Sequence, residues 1–298
     1  MFNNILGNDK IKDTLINSIK NNKVSHSYLF IGTDGIGKRL IAKEFAKMIL
    51  CNSESKYCDN CKSCIEFNSN NNPDFKIIEP DGNSLKIDQI REFQNKVAEK
   101  PIISSRKVYI INDSDKMTGE AQNCLLKTLE EPPEFVTIIL IGSNESAFLS
   151  TIKSRCMILH FNKILNSEIE KYLEENYQTK INSDIMVNAF QGSIGKAIQL
   201  KEKQEEYEEI EKIIYNLEYK DKIDILNMSE IIYKSKDGIS DILDYMNVVC
   251  IDLARRASKY AYCIDIIEET KKRLKSNANY DMSIDNMLLN LWKKVNSK

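Results

Sequence analysis

The segment that most restricts the fold is short. It runs Tyr28-Leu29-Phe30-Ile31, then Gly32-Thr33-Asp34-Gly35-Ile36-Gly37-Lys38, then Leu40, Ile41, Phe45, Met48 and Ile49 at helical spacing. Four consecutive apolar residues ended by a glycine predict a strand buried on both faces, and the stripe that follows predicts a helix packed back on it. Between them, the glycines let backbone N–H groups curl around an anion while Lys38 sets a cation beside it, the arrangement that cradles phosphate at a helix N-terminus. An ordinary turn would account for the glycines, but not for strand, helix and lysine together. Gly32, Gly35, Gly37 and Lys38 are therefore the candidate phosphate-binding residues.

The strand-then-helix rhythm continues. Ile11, Leu15, Ile16 and Ile19 share a helical face upstream. Phe75-Lys76-Ile77-Ile78, Val108-Tyr109-Ile110-Ile111, Thr137-Ile138-Ile139-Leu140-Ile141 and Met157-Ile158-Leu159 read as strands, and residues 87–98 and 121–129 as helices, the second stopped by Pro132-Pro133. Five strands alternating with helices predict a parallel sheet covered on both faces. Beyond Asn162 the strand signals stop. The rest reads as helix with polar breaks near Thr179-Lys180, Gln191-Gly192, Lys220-Asp221, residues 235–238 and residues 276–279. The expected class is α/β followed by all-α, divided as residues 1–163, a small helical cluster at 164–204 and a helical bundle at 205–298.

Composition agrees. A chain of 298 residues is long enough for two or three units, and 10 Gly and 5 Pro are too few for a turn-rich β architecture. Lys+Arg 42 against Asp+Glu 44 leaves a formal charge of −2, so no whole-chain basic field exists to grip nucleic acid or an anionic membrane. Contact with DNA must be local or shared with partners. The start, Met1-Phe2-Asn3-Asn4-Ile5, has neither a basic cluster nor an apolar run, and the longest apolar stretch, residues 136–141, falls well short of the ~20 residues that cross a bilayer. The expectation is a soluble cytoplasmic chain with no membrane partner.

Half of the eight cysteines crowd into one place. Cys51, Cys58, Cys61 and Cys64 give C-x6-C-x2-C-x2-C, while Cys124, Cys156, Cys250 and Cys263 are scattered among apolar residues. Four thiolates close a tetrahedral zinc shell, and paired x2 spacings let a tight knuckle aim its sulfurs at one point. A closed shell leaves no place for a reactive water, so the expected role of the zinc is structural. Asn52, Ser53, Asp59, Asn60 and Ser63 around it read as turn formers outside the core.

The phosphate loop is damaged on its metal side. A magnesium-dependent nucleotidase needs Ser or Thr after the loop lysine, and here Arg39 stands there, a donor-only cation. It also needs an Asp, usually followed by Glu, at the end of the third strand. This strand ends Ile110-Ile111-Asn112-Asp113-Ser114-Asp115, with no adjacent Asp-Glu pair. Both defects argue against hydrolysis. Binding without turnover stays open, since Lys38 and the backbone amides survive; ATP with magnesium is not expected to be used in this site.

These residues resemble the clamp-loader branch of the AAA+ proteins. The resemblance rests on Ile5-Leu6-Gly7, Ser25-His26-Ser27-Tyr28-Leu29-Phe30, Ile87-Asp88-Gln89-Ile90-Arg91, Asn123-Cys124-Leu125-Leu126-Lys127-Thr128-Leu129-Glu130-Glu131-Pro132-Pro133 and Thr151-Ile152-Lys153-Ser154-Arg155-Cys156. The last two stretches are the most specific. Ser150 departs from the family's usual proline, and Gly195 stands where ATPase members carry a sensing arginine. The resemblance implies a lid at 164–204, an oligomerisation collar at 205–298 and a zinc module at 51–64. It implies a hetero-oligomeric ring of ATPase subunits and a delta subunit that loads a sliding clamp onto primer-template DNA. In that ring Arg155 would be a finger reaching the neighbour's nucleotide from a subunit that does not hydrolyse its own. A self-sufficient ATPase subunit of the same machine is the alternative, and a zinc-bearing nucleic-acid-binding module a more distant one.

Other features are set aside. His26 and His160 each lack a carboxylate or second histidine at useful sequence spacing, so both read as structural. Glu130 and Glu131 are adjacent on a helix end and do not face each other, which leaves a helix stop and no acid pair. Trp292 and the tail tyrosines lack the basic interleaving that stacks single-stranded bases.

Overall fold

The computed structural model describes residues 2, 5–178, 180, 181 and 183–297. Met1, Asn3, Asn4, Lys298 and the polar break at Thr179 lie outside the described residues. Two compact units emerge, one of Met1–Ile169 with Gly192–Gly195 and one of Glu170–Gln191 with Lys196–Lys298.

The first unit opens with α1 (Asp9–Lys20), β1 (Ser27–Ile31), α2 (Lys38–Leu50), α3 (Lys62–Asn68), β2 (Phe75–Ile78) and α4 (Ile87–Val97). It continues with β3 (Lys107–Ile111), α5 (Gly119–Glu130), β4 (Val136–Gly142), the single turn α6 (Ser150–Lys153) and β5 (Met157–His160). The five strands pair in parallel in the order β2-β3-β4-β1-β5. Every residue of β1, β3 and β4 is buried, because helices cover both faces of the sheet.

Alternation along β1 builds the two cores. Tyr28 and Phe30 join Leu15, Ile41, Phe45 and Met48 on one face, with the Tyr28 and Phe45 rings meeting edge-on at 5.2 Å. Leu29 and Ile31 join Ile90, Phe93, Leu125 and Ile152 on the other. The α5 helix starts where Thr118 Oγ1 accepts the Ala121 N–H at 3.2 Å and ends just before Pro132-Pro133, since a residue preceding proline is pushed out of the helical region. Two elements are absent from the sequence reading, α3, which begins inside the cysteine segment, and the single turn α6; both are too short for apolar periodicity to announce a helix.

Among its described residues the second unit contains helices joined by turns and loops, and no strand. It contains most of α7 (Asn166–Tyr177) and α9 (Ile194–Glu202), with α8 (Asp184–Ala189), α10 (Gln204–Asn216), α11 (Lys222–Asn227) and α12 (Ser229–Tyr233). The longest helices, α13 (Ile239–Ala254), α14 (Ala261–Lys275) and α15 (Tyr280–Asn296), follow. Ile242, Met246, Val249 and Cys250 of α13, Cys263 and Ile267 of α14, and Ile284, Met287, Leu288 and Leu291 of α15 are all buried. Trp292 donates its indole N–H to the Lys220 carbonyl at 2.9 Å. No described helix is long and apolar enough to cross a membrane.

Candidate functional site

The glycine loop joins β1 to α2, and its geometry follows from two positive φ angles, +74° at Gly35 and +91° at Gly37, that other residues rarely adopt. Gly35 has a second constraint. A Cβ there would lie 2.1 Å from Ser193 Oγ, and the Gly195 N–H donates to the Gly35 carbonyl at 3.1 Å. The loop is therefore flanked by Gly192–Gly195, a packing that no sequence spacing announces.

Lys38 is buried, and its ammonium is turned onto the loop itself. It donates to the carbonyls of Gly32 and, at 2.8 Å, Thr33, and stands 3.5 Å from the Asp34 carboxylate. Burial pulls its pKa below the ordinary lysine value, while the charges of Asp34, Asp115 and Asp113 pull the other way. Arg39 points elsewhere, with NH1 2.6 Å from Glu79 Oε1 just beyond β2. The position that would offer magnesium a hydroxyl is thus occupied by an engaged guanidinium.

The end of β3 is committed to structure. The Asn112 N–H donates to the Ile78 carbonyl at 2.9 Å, extending the ladder. Asp113 adopts φ +47° and binds Lys116 at 2.8 Å. Asp115 accepts the Ser143 N–H and hydroxyl at 3.0 and 2.8 Å and the Asn144 N–H at 3.0 Å, fastening the end of β4. Among these carboxylates, only their field reaches Lys38.

Arg155 follows α6 and precedes β5. Its NH1 donates to the Thr151 carbonyl at 2.9 Å and to Ser154 Oγ at 3.2 Å, and its NH2 lies 2.7 Å from Glu130 Oε1. One third of the side chain stays exposed, at 33%. Cys156 beside it is pushed up to about 12 by burial, so that thiol stays protonated and unreactive. Glu130, read from sequence as a mere helix stop, is thus an arginine partner. His160 needs a similar correction: its Nε2 stands 2.8 Å from Glu145 Oε2, a carboxylate supplied by the fold.

The four clustered cysteines converge at the C-terminal end of α2. Their sulfurs all lie within 4.8 Å of one another, with Cys51 to Cys58 at 3.5 Å and Cys58 to Cys64 at 4.0 Å. A tetrahedral zinc with Zn–S bonds of ~2.3 Å sets its sulfurs about 3.8 Å apart, so the donor set fits a metal of that size. The Cys61 N–H points at Cys58 Sγ from 3.3 Å, the sulfur-directed amide of a tight knuckle. Burial pushes the Cys51 and Cys64 thiols up; at Cys61 burial is outweighed by N–H groups of Asn52 and Cys64 and by the Cys58 and Cys64 thiols, which bring it down to about 6.

The knuckle is fastened to the sheet by a network of polar groups, two of which, Asn52 and Ser63, the sequence marks only as turn formers. Ser63, expected outside the core, is fully buried; its hydroxyl meets Ser104 Oγ at 2.9 Å, and Asn72 Nδ2 donates to it at 3.0 Å. Asp74, only 2% exposed, accepts the N–H groups of Ile102, Ile103 and Ser104, each at 2.7 Å. Asn52 Nδ2 closes the network on the Ile103 carbonyl at 3.1 Å.

The parallel order β2-β3-β4-β1-β5, the glycine loop between β1 and α2 and the acidic turn after β3 define a P-loop protein of the AAA+ class. Its sequence then narrows the class. A family model described as DNA polymerase III, delta subunit matches residues 7–165, and the chain belongs to that family. It is 34% identical over 206 residues to the DNA polymerase III subunit delta' of Bacillus subtilis, covering 69% of this chain and 62% of that protein. It is equally 34% identical over 208 residues to the tau/gamma subunit of Haemophilus influenzae, covering 67% of this chain and 30% of that protein. A solved gamma subunit-related protein from Thermotoga maritima superposes with a TM-score of 0.50 at 16% identity, over 94% of this chain and 99% of that one, a likeness of fold.

Proposed function

We propose that the chain is a delta-prime-like subunit of a DNA polymerase III clamp loader, an AAA+ wall that does not hydrolyse ATP but serves a neighbour that does. The observation that carries this reading is Arg39, which is tied to Glu79 where a magnesium-gripping hydroxyl is required. Lys38 turned onto its own loop, and Asn112 and Asp113 in place of an Asp-Glu pair, support it. Gly32, Gly35 and Gly37 then serve as the remnant of a nucleotide cradle.

Arg155 acts in trans. A guanidinium set against a γ-phosphate offsets transition-state charge, and in related nucleotidases such a finger is worth about 10³- to 10⁵-fold in rate. Residues 164–204 form the lid and 205–298 the oligomerisation collar, through which the chain joins ATPase subunits and a delta subunit. The ring meets sliding clamp and primer-template DNA during replication. Zinc is held by Cys51, Cys58, Cys61 and Cys64, and supplies a rigid crosslink within the module.

The match to tau/gamma relatives favours a second reading, an active ATPase subunit. An ATPase assay on the purified chain separates the two. Background turnover is expected, and turnover that disappears in Lys38→Ala would replace the first reading by the second. In the reconstituted complex, Arg155→Ala should lower ATP hydrolysis while leaving assembly intact; unchanged turnover would remove the finger.

A further inference from the structure

Glu130 and Arg155 come from the two stretches most specific to the clamp-loader resemblance, yet that resemblance gives Glu130 no role. Here its carboxylate sits at the C-terminal end of α5, 2.7 Å from the Arg155 NH2. The same guanidinium spends NH1 on the Thr151 carbonyl and Ser154 Oγ, both in the turn that carries it. Two different holds therefore act on one side chain. The NH1 contacts are neutral and local, and fix where the arginine stands. The NH2 contact is ionic and reaches another element, so it neutralises the arginine's charge.

A finger already paired with a carboxylate is poorly prepared to meet a phosphate. If Glu130 kept its place, a second anion brought to the same guanidinium would be repelled by it. If it yields, the phosphate must displace it. With Glu130 49% exposed and the arginine 33% exposed, both outcomes are accessible without disturbing the core. Neither group is buried, so the pair is weak enough to exchange.

We propose that Glu130 is a latch: it holds Arg155 neutralised in the unengaged subunit and releases it when a neighbouring subunit presents a nucleoside triphosphate. Glu130 is a positioning residue, since it acts only through the arginine. This inference rests on the reading of Arg155 as a trans finger. An exposed ion pair biases its equilibrium by about two- to five-fold, and that sets the size of the effect.

The test uses Glu130→Gln, which keeps the shape and hydrogen-bonding reach of the side chain and removes its charge. In the isolated chain, modification of Arg155 by a dicarbonyl reagent, followed by peptide mass, should be about two- to five-fold faster in Glu130→Gln than in wild type. In the reconstituted complex, the same variant should lower the ATP concentration for half-maximal hydrolysis by a similar factor, with turnover at saturation unchanged. Glu130→Asp should return both readouts toward wild type. Equal modification rates overturn the latch. So does an unmoved half-saturation point in a complex where Arg155→Ala does lower turnover. If Arg155→Ala has no effect at all, the finger reading fails and takes the latch with it.

Discussion

One helix carries both candidate cation sites, and they differ in what remains. At the N-terminal end of α2 the glycine loop keeps its shape and its lysine, but the next side chain is a guanidinium bound to Glu79. At the C-terminal end Cys51 completes a set of four sulfurs within 4.8 Å of one another. The first site lacks the oxygen that would hold a reactive metal; the second has every ligand for an inert one. A fold can thus keep the outline of a phosphate loop without a hydroxyl after its lysine, because strand, turn and helix are held by the core.

Removing metal from the second site tests the contrast most severely. About one zinc per chain is expected for wild type, and no firmly bound zinc in Cys64→Ser. Thiolate zinc ligation contributes about 10–16 kcal/mol to folding in small zinc-finger peptides, so residues 51–64 should lose hydrogen-exchange protection in the variant. A metal-free wild type that protects those residues fully would sink the assignment. Next in size, Asp74→Ala strands three amide donors beneath the knuckle. The expected loss is roughly 3 kcal/mol, or about 6–12 °C in a melting curve of the first unit, and a midpoint within a degree of wild type would contradict it.

The first site should be far less sensitive. Glu79→Gln removes an ion pair whose side chains are 44% and 50% exposed, and should shift stability by less than about 1 kcal/mol in a denaturant titration. Smallest of all is the effect of Arg39→Thr on turnover. The hydroxyl returns, yet Asp113 stays with Lys116 and no Glu follows it, so ATP hydrolysis should remain at background. Robust turnover in that single variant would make the site one residue short of an engine and dissolve the comparison.

The parts of this architecture legible in the sequence are those written locally. The central strands β1, β3 and β4 carry apolar runs because they are buried on both faces, and the edge strands β2 and β5, though partly exposed, keep enough apolar residues to be read. The glycine loop, and four sulfurs brought together by C-x6-C-x2-C-x2-C, are likewise consequences of short-range geometry. What stayed hidden depends on pairs far apart in the chain. Glu130 with Arg155, Glu145 with His160, and Ser193 over Gly35 are made by strand order and loop closure. Ser63 misled for a related reason: a turn-forming residue is buried here only because its hydroxyl pairs with Ser104 Oγ and accepts from Asn72 Nδ2.

Asp74, in the turn just before β2, has a reach beyond its neighbours in the chain. By gathering the amides of Ile102, Ile103 and Ser104, while Asn52 and Ser63 grasp the same loop from the cysteine side, it couples the knuckle to a stretch of chain bounded by Lys100 and Arg106. Treatment with a chelator should therefore betray itself under trypsin as a new cut after Arg106, since the bond from Lys100 to Pro101 resists the protease, and that cut is distant along the polypeptide from the four sulfurs.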